Sequence, residues 1–208
     1  MPADKAIGAV PVGAIDLPRL RAALHPEPSP VSFILEDGVG EEKLTPASVL
    51  FPIVLRPDGP TVLLTQRTAH LRDHPGQICF PGGRAEPDDP SPAHTALREA
   101  EEEVGLLPLH VDIAGYLPEY RTSTGFRITP VVAFVMPPFD LQPDSFEVAE
   151  VFEVPLAFLL DPANHQQHSL HHRGRLRHYY ALPYGDYFIW GATAGMIVSL
   201  YHALAHQR

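Results

Sequence analysis

The chain has 208 residues, of which 45% are hydrophobic and 19% are charged, so it is long enough and apolar enough to bury a core. Its 25 acidic and 15 basic residues give a formal net charge of −10 with histidine neutral, which argues against a nucleic-acid duplex as partner. The single cysteine, Cys79, excludes an intramolecular disulfide and a zinc site made only of cysteines. We expect Cys79 to be a small core residue.

Residues 1–45 are predicted to be an N-terminal extension that ends in a Pro-rich linker. The start of the chain lacks a signal-peptide pattern, and no run reaches the ~18 apolar residues of a membrane span, so we expect a cytoplasmic protein with no membrane partner. Asp16, followed closely by a proline, predicts a short helix that reaches Leu24. The Pro-rich residues 25–30 predict irregular structure, and the main domain is placed at residues 46–208.

From residue 46 onward, apolar runs separated by turn residues predict strands that alternate with two main helices. Strands are predicted at 48–55, 61–67, 110–117 and 127–135, and a short strand with a helical turn at 147–161. A turn at 57–59 joins the first two strands into a hairpin. Residues 175–184 predict a late hairpin or loop, and residues 189–206 a last helix. This order indicates an α/β layered domain.

The helix predicted at residues 92–107 is the most informative segment. Ser91 is suited to cap its start, and Gly105 is suited to end it in a left-handed conformation. Its apolar residues recur at spacings of three and four and form one stripe that should face the core: Ala93, Leu97, Ala100, Val104 and Leu107.

Three glutamates of this helix lie outside the apolar stripe. Glu99, Glu102 and Glu103 are separated by three and four residues, so they share one face and repel one another. A solvated acidic face is the ordinary explanation for such a cluster. Here the helix follows the Gly-rich residues 80–84, and carboxylate oxygens suit Mg²⁺ or Mn²⁺. Arg98 is placed to reach Glu102 one turn later and to orient it.

Residues 82–106 resemble the signature box of the Nudix hydrolases. Residues 98–106 match its second half in full, as Arg-Glu-apolar-any-Glu-Glu-any-Gly-apolar. The first half departs from the box, because Asp89 stands where the box has glutamate and the loop is one residue longer. The resemblance implies a Nudix fold, in which a mixed β-sheet is sandwiched between α-helices and the box forms a loop–helix–loop. It also implies hydrolysis of a nucleoside diphosphate linked to another moiety, with Mg²⁺ or Mn²⁺.

The resemblance also implies roles for individual residues. It assigns the metal site to three carboxylates and one backbone carbonyl: Glu99, Glu103, Glu102 and Gly83. Glu102 is either a further ligand or a group that helps to activate water, with Arg98 beside it. The general base differs among Nudix enzymes, and Glu147 and Glu150 are downstream candidates for it, although either is as readily an ordinary surface carboxylate.

Residues 63–83 resemble an additional motif of the coenzyme A pyrophosphatase branch of this superfamily. The matching residues are Leu63, Leu64, Thr65, Arg67, Arg72, Gly76, Phe80, Pro81, Gly82 and Gly83. Thr68 stands where the motif usually has serine or alanine. This resemblance implies hydrolysis of the coenzyme A diphosphate to 3′,5′-ADP and 4′-phosphopantetheine, and acyl-coenzyme A forms are further possible substrates.

The upstream motif also has a chemical rationale, because an acidic protein must supply cations locally to bind an anionic substrate. Arg67 and Arg72 are suited to bind phosphate in a bidentate manner. The turns at Gly76-Gln77 and Gly82-Gly83 let backbone N–H groups approach anionic oxygens. The alternative is that Arg67 ends a strand in water and Arg72 pairs with a carboxylate such as Asp73.

Other interpretations stay open at this point. The substrate could instead be ADP-ribose, NADH or a damaged nucleotide, or the chain could be a catalytically silent Nudix ligand sensor, although such domains usually lack the box carboxylates. The histidines within residues 165–178 match no zinc pattern and predict a solvated loop. Small residues in the last helix would allow a homodimer interface.

Overall fold

The computed structural model describes residues 16–29, 34–35, 44–172 and 175–206. Within these ranges the α-helices are α1 (Leu17–Ala22), α2 (Pro92–Val104), α3 (Leu156–Leu159) and α4 (Ala192–Ala205). The strands are β1 (Ile34–Leu35), β2 (Thr45–Val54), β3 (Thr61–Arg67), β4 (Ile78–Cys79), β5 (Gly82–Arg84), β6 (Val111–Tyr116), β7 (Tyr120–Arg121), β8 (Phe126–Val135), β9 (Val148–Pro155), β10 (Gln166–His172), β11 (Arg175–Tyr184) and β12 (Tyr187–Trp190). Short 3₁₀ turns cover Pro108–His110 and Pro162–Asn164.

The centre of the fold is a mixed nine-stranded sheet, so the predicted α/β class is confirmed. Strand β2 lies in its middle and pairs in parallel with β8 over ten residues, and antiparallel with β3 and β5. Strand β9 pairs antiparallel with β3, and β6 with β8. A second, antiparallel sheet has the order β10-β11-β12.

The alternation of side chains along β2 and β8 divides the core into two layers. One layer lies under α2 and contains Leu50, Val54, Leu63, Ala96, Ala100, Val104, Val131, Ala133 and Val135. The opposite layer joins the sheet to α1, α4 and the small sheet, and its largest members include Leu20, Phe51, Phe80, Leu156 and Leu182. The sheet is therefore covered by helices on both faces, as the Nudix resemblance implies.

Helix α2 has the two predicted caps, Ser91 at its start and Gly105 at its end. The Ser91 hydroxyl accepts the backbone N–H of His94 at 3.2 Å, and Gly105 takes a left-handed φ of 71° as the C-cap. Because the helix ends at Val104, Leu107 lies beyond it and is 42% exposed. Its assignment to the buried stripe was therefore wrong.

Residues 165–178 contain two strands and not the predicted loop, although most of the side chains described there are exposed, as predicted. Strands β10 and β11 form a regular antiparallel pair in which His168 lies opposite Tyr179. The C-terminal part of β11 packs against the core through Ala181 and Leu182, which are fully buried. The imidazole of His165 contacts the carbonyl oxygen of Leu159 at 2.7 Å.

The described part of the N-terminal extension packs onto the sheet. Helix α1 buries Leu20 completely, and Arg21 forms an ion pair of 2.6 Å with Asp112. His25, in the predicted irregular linker, forms an isolated backbone bridge with Tyr116. The boundary between the extension and the main domain stays a prediction, and residues 1–15, 30–33 and 36–43 lie outside the described residues.

The small residues of α4 serve packing inside the chain. A Cβ at Gly195 would lie 2.6 Å from the ring of Tyr120, so the absence of a side chain lets this helix approach β7. These residues therefore give no support to the predicted homodimer, which stays a prediction. Among the described residues, no helix combines the length and the apolar composition needed to cross a bilayer.

Candidate active site

The glycine turn before α2 is held close to the middle of the sheet by strand β5. Gly82 and Gly83 pair with Val49 and Ser48 of β2. A Cβ at Gly82 would lie only 2.5 Å from the carbonyl oxygen of Ser48, and one at Gly83 would overlap the carboxylate of Glu99. The two glycines are therefore required because the turn touches both the sheet and the acidic side of α2.

Glu103 is the buried carboxylate of this site. Its side chain is 7% exposed, and its Oε2 accepts the backbone N–H of Gly82 at 3.0 Å. Its Oε1 lies 3.9 Å from a guanidinium nitrogen of Arg67. Burial raises the pKa of Glu103 to about 8; the Gly82 N–H and Arg67 oppose this shift, whereas the charges of Glu99 and Glu147 add to it. The carboxylates of Glu99, Glu103 and Glu147 therefore lie close enough to interact electrostatically.

Arg98 forms ion pairs with Glu99 and Glu102, the two glutamates that share a helix face with Glu103. Its guanidinium lies 3.0 Å from Oε1 of Glu99 and 2.9 Å from Oε2 of Glu102. Glu102 is 59% exposed, whereas Glu99 is 17% exposed. Burial raises the pKa of Glu99, and Arg98 opposes that increase. The predicted Arg98–Glu102 contact is therefore present, and it lies next to the contact between Glu99 and Gly83.

Asp89 holds this arginine in place. Its two carboxylate oxygens accept Nε of Arg98 at 3.2 Å and a terminal guanidinium nitrogen at 3.0 Å. The same carboxylate accepts the backbone N–H of Glu86 and the hydroxyl of Thr95, both at 2.9 Å, and contacts Nδ1 of His94. Hydrogen bonding to Arg98 is the largest cause that keeps the pKa of Asp89 well below its usual range. The first acidic position of the box is thus structurally occupied by Asp89.

Glu99, Glu102 and Glu103 form an acidic cluster whose chemistry suits a divalent cation. Its donors are carboxylate oxygens, to which the Nudix resemblance adds the backbone carbonyl of Gly83, and oxygen donors suit Mg²⁺ or Mn²⁺. The pKa of Glu103 is raised partly by repulsion from Glu99 and Glu147, and a bound cation would relieve that repulsion. Among the described residues, no three aspartate, glutamate, histidine or cysteine side chains are grouped so that they could hold a metal ion as they stand. The cation is therefore suited by the type of donor, and Arg98 balances part of the negative charge while it pairs with Glu99 and Glu102.

Arg67 and Arg72 line one depression beside the acidic cluster, with a volume of about 380 Å³. Its other lining residues are His70, Leu71, Asp73 and Phe146. Nε of Arg67 is buried and, among the described residues, has no hydrogen-bond partner. In the same part of the chain, no ion pair joins Arg72 to Asp73. Two cations thus face a volume within the ~300–1,000 Å³ typical of small-molecule pockets.

The loop after β3 is tied to the loop before β9 by Thr68. Its backbone N–H donates to the carbonyl of Glu147 at 2.9 Å, and its hydroxyl donates to the carbonyl of Phe146 at 2.8 Å. These bonds position Glu147 near the site. Glu150 instead accepts the hydroxyl of Tyr187 at 2.7 Å, on the side of the small sheet. Of the two candidate bases, the geometry favours Glu147.

The glycine and glutamine positions of the upstream motif have structural partners. Gly76 takes a left-handed φ of 68°, and its carbonyl accepts the side-chain amide of Gln66 at 3.4 Å. The carbonyl of Gln77 accepts the backbone N–H of Arg67 at 3.0 Å. Because the N–H of Gly82 already donates to Glu103, it positions that carboxylate; a direct bond to substrate would require it to exchange partners.

Two residues of this region were missed by the sequence analysis. Asp89 was placed in the box but given no role, although its place two residues before the N-cap Ser91 puts it at the start of α2. Phe146 carried no local signal, because only the fold brings its loop to Arg67 and Arg72. Cys79 lies beside the site and is partly buried rather than part of the predicted core, and burial raises the pKa of its thiol to about 11.

The buried Glu103 carboxyl predicts an unusual pH dependence of stability. Its folded pKa of about 8 lies above the ~4.3 of an unfolded glutamate, so the folded state binds the extra proton between these values. We expect the free energy of unfolding of the metal-free protein to decrease as pH rises from about 5 to about 9. Thermal unfolding in a chelator should show this decrease for the native chain and a much weaker one for E103Q. Equal pH profiles for the two proteins would contradict the assignment.

The comparisons with known proteins agree with this geometry. The sequence matches the family profile described as "NUDIX domain" over residues 44–174. It is 44% identical over 154 residues to the uncharacterized Nudix hydrolase NudL of Escherichia coli strain K12, covering 74% of this chain and 80% of that protein. The NudL of Shigella boydii serotype 18 gives the same identity and coverage. The crystal structure of a MutT/nudix family protein from Enterococcus faecalis superposes with a TM-score of 0.50 at 16% identity, over 81% of this chain and 64% of that one, which supports the fold alone.

Proposed function

This chain belongs to the Nudix hydrolase family, and on that premise we propose that it hydrolyses the diphosphate of coenzyme A to 3′,5′-ADP and 4′-phosphopantetheine. Nudix hydrolases act on nucleoside diphosphate derivatives and generally use divalent metal ions. The observation that supports coenzyme A is the pair Arg67 and Arg72 in one depression beside the acidic cluster. Coenzyme A carries a diphosphate and a separate 3′-phosphate, so it presents two anionic groups to two cations.

Each part of the site has a separate task in this proposal. Glu99, Glu103 and the carbonyl of Gly83 would hold Mg²⁺ or Mn²⁺, with Glu102 as a further ligand. When bound, such a cation stabilises negative charge on the diphosphate oxygens and lowers the pKa of water. Arg67 neutralises phosphate charge close to Glu103, and Arg98 restrains the helix carboxylates.

A carboxylate must also accept the proton of the attacking water. We assign this role to Glu147, whose backbone is fixed by Thr68 and whose charge acts on both Glu99 and Glu103. A general base must lie within hydrogen-bond reach of the water that it deprotonates, directly or through one further water. Glu102 is the other group able to accept it, because Glu102 is exposed on the same helix face.

Product analysis on a substrate panel tests the proposal. Purified protein with Mg²⁺ or Mn²⁺ should hydrolyse coenzyme A with a higher kcat/KM than dephospho-coenzyme A, ADP-ribose or NADH, and should release 3′,5′-ADP. Preference for ADP-ribose or NADH would overturn the substrate assignment and keep the diphosphate chemistry. Binding of these compounds without hydrolysis of any of them would indicate a ligand sensor instead.

Arg72 provides a sharper prediction on specificity. We expect R72A to lower kcat/KM for coenzyme A by roughly tenfold, the cost of losing a hydrogen bond to a charged group, with a much smaller effect on dephospho-coenzyme A. The control is R21A, which removes an exposed cation paired with Asp112 on a remote surface and changes the net charge equally. Equal losses on both substrates would move Arg72 to the diphosphate or to a structural role.

A further inference from the structure

We propose that Phe146 is the surface on which the adenine base of the substrate stacks, with His70 supporting its ring. This inference deepens the proposed function, because it rests on a nucleoside diphosphate bound at the same site. Phe146 is 63% exposed, although burying a phenylalanine ring is normally favourable. A large aromatic ring left open to solvent inside a charged depression is a feature of ligand-binding surfaces.

The ring of Phe146 is held by the fold, although it is exposed. Its backbone carbonyl accepts the hydroxyl of Thr68 at 2.8 Å, and its backbone N–H donates to Oδ1 of Asp144 at 2.9 Å. Its ring lies against that of His70, with a centroid distance of 4.8 Å and an angle of 59° between the planes. The ring is thus anchored from both its backbone and its side chain, which lowers the entropic cost of stacking a ligand on it.

The composition of the depression identifies the base as the occupant of this surface. Arg67 and Arg72 line the same depression as Phe146 and His70, so aromatic and phosphate-binding groups lie together. A nucleotide carries its planar base and its phosphates on one ribose, so both groups would lie within this one depression. Base–aromatic stacking needs only a π-face, whereas the amide groups of a pantetheine arm need hydrogen-bond partners.

Among the described residues, the other exposed apolar side chains do not share a depression with Arg67 and Arg72. Phe188 and Trp190 are 45% and 37% exposed, but they lie on β12 of the small sheet and do not line the depression. Their positions supply a matched control for the substitution of an exposed aromatic residue. The position of Phe146 directly before Glu147 also links the stacking surface to the assigned base through one peptide unit.

Tryptophan fluorescence tests the stacking directly. Because Trp190 is the single tryptophan, the double variant F146W/W190F has its only indole at the proposed surface. Titration with 3′,5′-ADP should quench this fluorescence to saturation, whereas ribose 5-phosphate should not, since it has a phosphate but no base. Failure of 3′,5′-ADP to quench at concentrations that calorimetry shows to be saturating would overturn the proposal.

Truncation of the native ring gives an independent measurement. We expect F146A to raise the Kd of 3′,5′-ADP at least about fivefold by calorimetry, whereas F188A leaves it unchanged. The Kd of 4′-phosphopantetheine should not change in F146A. A larger effect on 4′-phosphopantetheine than on 3′,5′-ADP would assign the ring to the arm and overturn the proposal.

The inference and the proposed function fail in different experiments. Preference for ADP-ribose in the substrate panel would overturn coenzyme A as the substrate and still require an adenine site. Loss of 3′,5′-ADP affinity in F188A but not in F146A would overturn stacking on Phe146 while coenzyme A hydrolysis continued. Circular dichroism of F146A should match that of the native chain, because the side chain is largely exposed.

Discussion

Replacing Glu103 by glutamine is expected to lower turnover by about 10²-fold or more while the fold is retained. The amide keeps the size of the side chain and can still accept the N–H of Gly82 through its oxygen. What it removes is the ability of the most buried side chain of the acidic cluster to ionise beside a cation. A divalent cation bound there would lose an anionic ligand, and the diphosphate oxygens would lose the charge stabilisation that the cation supplies.

The measurement is kcat at saturating coenzyme A, together with the Mg²⁺ concentration that gives half-maximal activity. E101Q is the matched control, because Glu101 lies on the same helix, is exposed, and carries the same charge. We expect E103Q to lose turnover and E101Q to keep it. Near-native turnover in E103Q would refute its role as a metal ligand.

The sequence was sufficient for those parts of the site that lie within one continuous segment. The spacing of Arg98, Glu99, Glu102 and Glu103 within a capped helix predicts which side chains share a face, because a helix converts spacing into geometry. Strand β3 was predicted with its observed bounds because its apolar run lies between a Pro-Gly turn at 57–60 and a polar segment that begins at Thr68. These features depend on local periodicity alone.

Features that depend on tertiary contacts could not be predicted in this way. The hairpin of β10 and β11 has no clear alternation in its histidine-rich half, and it is fixed by the buried end of β11 at Ala181 and Leu182. Phe146 reaches the depression only because Thr68 joins two loops that are nearly eighty residues apart. No local pattern contains either contact.

The proposed function requires an acidic protein to bind an anionic substrate. The formal net charge is −10, yet Arg67, Arg72 and Arg98 lie at or beside the acidic cluster. At long range this net negative charge repels a phosphate compound, and salt screens the repulsion beyond about 10 Å. Under the proposed function, short-range contacts with these arginines and with a divalent cation would supply the affinity.

Removing the carboxylate of Asp89 is expected to lower both stability and turnover. D89A deletes two charge-assisted bonds to Arg98 and the acceptor for Glu86 and Thr95, and its side chain is only 3% exposed. We expect the free energy of unfolding to fall by roughly 2 kcal/mol or more. Arg98 would then be free to move relative to Glu99 and Glu102, and misplacement of these carboxylates should lower kcat by roughly tenfold or more.

Two further variants separate the positioning role of Asp89 from a general loss of structure. D88A removes the same charge from the exposed neighbouring residue of the loop and should behave like the native chain. D89N keeps the shape and an acceptor oxygen but not the charge that balances Arg98, so it should recover part of the stability lost in D89A. If Asp89 acts through Arg98, D89N should still need more Mg²⁺ than the native enzyme for half-maximal activity, because the unbalanced guanidinium competes for Glu99 and Glu102. An unchanged Mg²⁺ requirement in D89N would limit Asp89 to supporting the loop.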